Sequence, residues 1–226
     1  MTVFSGVGQS CVAPSRLLVQ DTIYDDFMAQ LVEWPQLVEK VSRIRVGDPF
    51  DPATQLGPVG TLPQFEKNAA FCERGVADGA SVGFGGGPMD IAGHEGGYFF
   101  SPTVFQDVDP TSYIAQEEAF GPILSAIRFS TEDEAIEIAN STKYALAAGV
   151  WTRDLRRAHV SAKRLRAGMV WVNTYRNISF ASPFGGSKES GHGRENGPEA
   201  LAEFTAPKSV WIELSGQVAD PFTWKS

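Results

Sequence analysis

The chain has few cysteines, few histidines and no long apolar run. Cys11 and Cys72 are its only thiols in 226 residues, too few for a disulfide framework. His94, His159 and His192 lack ligand spacing and a local acidic orienter, so no metal site is expected. No apolar stretch approaches the roughly 18 residues of a spanning helix, and the first residues show neither a charged n-region nor a long apolar segment. A soluble, cytoplasmic protein without a membrane partner is the expectation, and the sequons at Asn140 and Asn177 then carry no meaning. Positive charge is also scarce: 19 Lys and Arg against 27 Asp and Glu give a net charge of −8. With no run of five basic residues, association with nucleic acid or an anionic membrane would be electrostatically opposed. A dinucleotide fingerprint is missing as well. Gly83-Phe84-Gly85-Gly86-Gly87-Pro88 lacks the G-x-G-x-x-G spacing and a following helix, and reads as a turn between strands. Gly191-His192-Gly193-Arg194-Glu195-Asn196 has Asn196 where the third glycine belongs.

What remains is ordinary for one soluble core, 42% hydrophobic and 20% charged. Ser15 to Gln20 reads as a strand. Ile23, Phe27, Leu31, Trp34, Val38 and Val41 then recur at helical spacing from Thr22 to about Arg43, with a kink expected at Pro35. Val46 to Pro52 is rich in turn residues. A second helix is expected from about Pro63 to Val76, with Phe65, Ala69, Cys72 and Val76 on one face, which makes Cys72 a core residue. Strands follow at Thr103 to Val108 and at Pro122 to Phe129. Thr131-Glu132-Asp133-Glu134 is a capping box opening a helix to about Asn140. Next come a strand at about Leu146 to Trp151, a helix capped by Asp154 with Leu155, Ala158, Ala162 and Leu165 on one face, and a strand at Met169 to Asn173. Alternating strands and helices imply an α/β fold with a mostly parallel, helix-covered sheet. Ser209 to Leu214 ends the pattern as a strand with no helix after it, an edge that asks for pairing.

Three places bear on candidate chemistry. Cys11, in Gly8-Gln9-Ser10-Cys11 before the first strand, is placed like a nucleophile on a loop feeding a sheet, although a lone cysteine also suits a small buried apolar site. Glu117-Glu118 before an aromatic reads alone as a solvated loop or helix end. Gln64 and Lys67 share a polar helix face.

Three segments occur in one order: Phe4 to Arg16 around Cys11, Glu117-Glu118-Ala119-Phe120-Gly121-Pro122, and Ser182-Pro183-Phe184-Gly185-Gly186-Ser187-Lys188. Together they resemble the aldehyde dehydrogenase superfamily. The resemblance implies that Cys11 attacks an aldehyde to form a thiohemiacetal, that hydride leaves for NAD or NADP, and that water hydrolyses the resulting thioester to the acid. It implies cofactor contacts from Gln64 and Lys67 at the adenosine ribose, from Glu118 at the nicotinamide ribose and from Phe120 beside the nicotinamide. Phe184 would contact substrate in a tunnel wall, while Ile178 and Phe180 fall in its variable part. Residues 1–206 would form the catalytic domain, and residues 207–226 an oligomerisation strand and tail that joins a neighbouring subunit.

The resemblance extends over the C-terminal portion of the family only. A Rossmann-like domain, a Glu-Leu-Gly-Gly segment whose Glu activates water, and an oxyanion-hole Asn belong upstream in the family and are not found here. The chain alone is therefore expected to be a catalytic-domain half with little or no dehydrogenase activity, acting as a homo-oligomer or with a complementary N-terminal half. A non-catalytic remnant that self-associates or binds a full-length relative is the alternative, and a cofactor-free thiol esterase is a third.

Overall fold

Apolar residues alternate along the strand Ile123–Phe129, and the fold follows from that alternation. Ile123 and Ile127 point into one core with Phe71, Phe105 and Ile138, whereas Leu124 and Ala126 point into another with Tyr24 and Met28. A strand buried on both faces belongs at the centre of a helix-covered sheet. The structure, a computed structural model, describes residues 3–32, 44–217 and 222.

In chain order the elements are β1 (Arg16–Gln20), α1 (Asp21–Val32), α2 (Leu62–Ala77), β2 (Ser81–Phe84), β3 (Thr103–Gln106), the single-turn α3 (Tyr113–Gln116), β4 (Ile123–Phe129), α4 (Glu132–Asn140), β5 (Ala147–Val150), α5 (Leu155–Arg164) and β6 (Met169–Val172). Short 3-10 turns lie at Ser5–Gly8 and Pro198–Phe204. The first sheet has the order β1-β4-β3-β2. β4 pairs in parallel with β1, Arg16 opposite Ser125, and with β3, Thr103 opposite Ile123. β2 closes the edge antiparallel to β3. β5 and β6 form a separate parallel pair, Ala147 opposite Met169. The α/β class and the mostly parallel pairing thus agree with the sequence, with the strands divided between two sheets.

Two helices bury residues that their apolar spacing does not single out, although on α2 Cys72 is buried as expected and Phe65 and Ala69 pack against the core. On α1 the buried residues are Tyr24 and Met28, while Ile23 and Phe27 are 54% and 38% exposed. Tyr24 can go inward because its hydroxyl accepts the Asp107 N–H at 2.8 Å, which satisfies the buried phenol. On α2 the buried residues are Asn68, Phe71, Cys72 and Gly75, while Val76 is 55% exposed. Gly75 lets the helix come close, since a Cβ there would lie 2.9 Å from Ile114 Cδ1. Each large apolar side chain fully buried in these two cores contributes about 1.5–3 kcal/mol.

The caps expected at Thr131 and Asp154 form, and Thr61 adds one that the sequence reading did not name. Thr61 Oγ1 accepts from Gln64 N, Thr131 Oγ1 from Glu134 N, and Asp154 Oδ1 from Arg157 N. Glu134 reaches back to Ser130 N, one residue before the usual partner in a capping box. On α5, Ala158 is buried but Leu155 is 73% exposed, so the expected apolar face covers only part of that helix. The expected kink at Pro35, and Trp34, Val38 and Val41 with it, lie outside the described residues. Ser209–Leu214 forms no ladder among the described residues, and Val210, Trp211, Ile212 and Leu214 are 68–93% exposed. A strand exists only when paired, so its edge stays open in the single chain. Among the described residues no helix is long and apolar enough to cross a membrane.

Candidate functional site

The turn before Cys11 is built in left-handed backbone. Gly6, Val7 and Gly8 have φ of 63°, 58° and 67°. This conformation is rare for a β-branched residue, and Val7 is held in it by burial in the core beneath. Gly8 is required sterically as well, because a Cβ would lie 1.9 Å from the carbonyl oxygen of Gly121. Gln9 Oε1 accepts the Gly60 N–H at 3.0 Å and ties the far side of the loop to the start of α2. With Val12 buried as an anchor, Cys11 is left exposed. Cys72 is the opposite case: it is buried on α2, and burial pushes its thiol up to about 12.

The loop crosses the Glu117–Pro122 segment, and the two meet in a shallow depression lined by Gly8, Ser10 and Ser15 with Glu118, Phe120 and Gly121. The adjacent carboxylates of this segment have different tasks. Glu117 takes Lys143 Nζ at 2.8 Å and the Tyr144 hydroxyl at 3.1 Å, and the Lys143 hydrogen bond holds its carboxyl below the usual range. Glu118 has no hydrogen bond or ion pair among the described residues, so both its oxygens remain available as acceptors. Phe120, beside it, has φ of 51°, a strained value for an aromatic residue.

Gln64 lies behind this wall. Its amide nitrogen donates to Ala119 O at 2.8 Å and to Asn68 Oδ1 at 2.9 Å. Lys67, on the next turn of α2, is exposed and close enough to contribute weakly to the lowered pKa of Glu117. The structure therefore brings together the Cys11 loop, Glu118, Phe120 and Gln64, with Lys67 adjoining.

Phe184 belongs to another construction and does not line the depression. It is half-buried and pairs with Glu195 through two backbone hydrogen bonds of 2.6 and 2.7 Å. Gly168 permits the close approach of this segment, since a Cβ there would lie 1.7 Å from Gly185 O. The preceding loop is pinned by aromatics: the Trp171 indole donates to Asn177 O at 2.8 Å, and the Trp171 and Tyr175 rings are 4.7 Å apart. Ile178 and Phe180 are exposed, 55% and 88%.

Several residues that shape the site escaped the sequence reading. Asn68 is fully buried, although asparagine reads as polar surface. Its signal was the Gln64-to-Asn68 interval of four, one helical turn on the same face. Arg16 and Lys188, far apart in sequence, both donate to the C-terminal end of α4. Arg16 Nη2 reaches Ile138 O at 2.7 Å, and Lys188 Nζ reaches Asn140 O and Thr142 O at 2.8 Å. Among the described residues no cluster of three His, Cys, Asp or Glu side chains is placed to hold a metal ion.

Comparison with known proteins gives the same kinship. The aldehyde dehydrogenase family profile matches residues 1–210. The chain is 43% identical over 219 residues to a betaine aldehyde dehydrogenase of Brucella melitensis biotype 2, covering 97% of this chain and 44% of that protein. It is 44% identical over the same span and shares to the betaine aldehyde dehydrogenase of Mesorhizobium japonicum. The betaine aldehyde dehydrogenase of Staphylococcus aureus, solved in complex with NAD+, superposes with a TM-score of 0.86 at 36% identity, over 96% of this chain and 42% of that one. An aldehyde dehydrogenase C variant of Pseudomonas syringae, solved with NAD+ and octanal, gives 0.81 at 40% identity, over 90% and 40%. The chain thus spans less than half the length of the relatives it matches. With the profile covering nearly all of its residues, the chain belongs to the aldehyde dehydrogenase family.

Proposed function

We propose that this chain is the nucleophile-bearing part of an NAD- or NADP-linked aldehyde dehydrogenase, with Cys11 as the nucleophile. The observation that supports the reading is the crossing at Gly8 and Gly121, which brings the rigid turn that leads into the exposed Cys11 alongside Glu118 and Phe120. The Cys11 thiolate adds to the aldehyde carbon, and the carbonyl electron pair becomes an oxyanion that the Cys11 backbone N–H is suited to stabilise. A bound dinucleotide would supply the acceptor for the hydride that the thiohemiacetal carbon gives up. A thioester on Cys11 results, and water hydrolyses it to the carboxylic acid and the free thiol.

The residues present fit one wall of a dinucleotide site. The Glu118 carboxylate, without a partner among the described residues, offers two acceptors to two vicinal ribose hydroxyls, Phe120 offers an aromatic face, and Lys67 an exposed cation. Phe184 is proposed as a substrate contact from the second sheet's side. A general base and a second oxyanion donor would come from residues outside this chain, and the loss of each costs on the order of a hundredfold in rate. The test is titration of NAD and NADP into the chain by calorimetry, with and without a complementary N-terminal half. Binding and aldehyde-dependent reduction that appear on adding the half, and vanish in Cys11→Ser, are the expected result. No binding in either case would refute the reading.

A second reading is favoured by the tail. Val210, Trp211, Ile212 and Leu214 are apolar, exposed and without a strand partner among the described residues, as suits a segment at residues 207–226 that pairs with another subunit. Under it the chain self-associates or binds a full-length relative. Sedimentation of the chain with and without residues 207–226 decides it, because a tail with no such role leaves the mass unchanged.

A further inference from the structure

We propose that Gln64 and Asn68 are positioning residues, a half-buried and a fully buried amide that together fix the Glu118–Gly121 turn and, through Gly121, the turn carrying Cys11. The inference rests on the reading of Glu118 and Phe120 as a dinucleotide wall, and it changes the part expected of Gln64. The Gln64 amide nitrogen faces two acceptors, Ala119 O and Asn68 Oδ1, so its orientation is fixed; an oxygen in that place would confront two oxygens. Its donors are consumed inside the protein, leaving only Oε1 to turn outward.

Asn68 supplies the second restraint. It is 0% exposed, and its Nδ2 has no partner among the described residues, a cost that only the use of Oδ1 and of its shape offsets. Its side chain lies flat against Gly121, where a Cβ would come within 2.3 Å of Nδ2. Gly121 in turn presents its carbonyl to Gly8 with no room for a Cβ between them. Asn68, Gly121 and Gly8 therefore stack without a gap, from helix α2 to the nucleophile loop. Phe120 sits between the two anchored points, Ala119 held by Gln64 and Gly121 packed on Asn68. Its positive φ persists because the backbone is held on both sides. One pair of amides on α2 thus sets both the wall that would hold the cofactor and the loop that carries the thiol.

The experiment is hydrogen exchange on the purified chain carrying Gln64→Met, Gln64→Glu or Gln64→Lys, read at the Gln9 and Ile123 amides, which close the turns at Gly6 and Gly121. Losing the donor in Gln64→Met and Gln64→Glu is expected to speed exchange at both amides about tenfold. Gln64→Lys, a side chain with donors only, is expected to restore protection to within about twofold of the parent. Amides of β5 and β6 remain unchanged, and Cys72 stays closed to alkylation, which excludes general loosening. The proposal is overturned if Gln64→Met leaves Gln9 and Ile123 within about twofold of the parent, or if Gln64→Lys exchanges as fast as Gln64→Met. Asn68→Ala should act like Gln64→Met, but because burial makes it prone to unfold, the Gln64 series decides. A parallel NAD titration of the parent chain separates the two readings: absence of binding counts against the proposed function, while the exchange result still decides the positioning role.

Discussion

Gly6 and Gly8 occupy the same turn with almost the same backbone angle, φ of 63° and 67°, but in different surroundings. Around Gly6 an added Cβ would meet nothing within 4 Å, whereas at Gly8 it would lie 1.9 Å from Gly121 O and 2.3 Å from Gly121 C. Gly6→Ala therefore carries only the cost of a left-handed alanine, about 1–2 kcal/mol. Gly8→Ala carries that cost plus an overlap with backbone that no side-chain rotation relieves, about 1–3 kcal/mol more for the shift it forces. For a chain of this size these correspond to a fall in Tm of about 3–6 °C and about 6–15 °C respectively. The assay is urea denaturation of both variants, with iodoacetamide labelling of Cys11 under native conditions. Gly8→Ala should also alter the labelling rate, because the displaced contact belongs to the turn that carries the thiol, while Gly6→Ala should not. Equal destabilisation by the two variants would refute the reasoning, since it would mean that the crossing at Gly121 does not constrain the loop.

Burial raises the Cys72 thiol from 9.0 to about 12, so between those values the unfolded chain has lost a proton that the folded chain retains. Stability should fall as pH rises through that window, and urea midpoints of Cys72→Ala against the parent should show the slope flattened. At the acid end, Glu117 is lowered in the fold by its Lys143 hydrogen bond, so its contribution is present above 4.5 and is lost as pH falls through the folded value. Glu117→Gln should remove that acid slope, and an unchanged slope would deny the Lys143 contact a part in stability. Lys188→Met removes two charge-assisted bonds to Asn140 O and Thr142 O and should cost about 1.5–3 kcal/mol by urea unfolding.

The sequence disclosed those parts of the site whose chemistry is local. The caps at Thr131 and Asp154 appear as single residues before periodic segments, and each holds its helix. Cys72 was legible as core from its spacing alone. The burial of Tyr24 on α1 and of Asn68 on α2 was not, because a polar side chain goes inward only where a partner can satisfy it. Tyr24 goes inward when Asp107 gives its backbone donor, and Asn68 when Gln64 gives its amide. Neither partner is visible in a hydrophobic pattern, which treats both residues as polar or ambivalent. The crossing of Gly8 over Gly121 was hidden for the same reason, since two glycines 113 positions apart reveal nothing until the strands have paired.

That pairing also explains how the Cys11 loop is anchored at its other end. Arg16 begins β1, five residues after Cys11, and donates to the carbonyls at the end of α4. Its guanidinium is drawn down to about 10 by burial, and no ion pair to it is found among the described residues; the negative end of the helix dipole takes that place. Lys188, from the segment that follows Phe184, donates to the same helix end. The Cys11 loop is thus held between Gly121 before the thiol and α4 after it, and the Phe184 segment is tied to that same α4 terminus. Since β4 leads directly from Gly121 into α4, a single strand and its following helix set the thiol, the Glu118 wall and the Phe184 segment relative to one another.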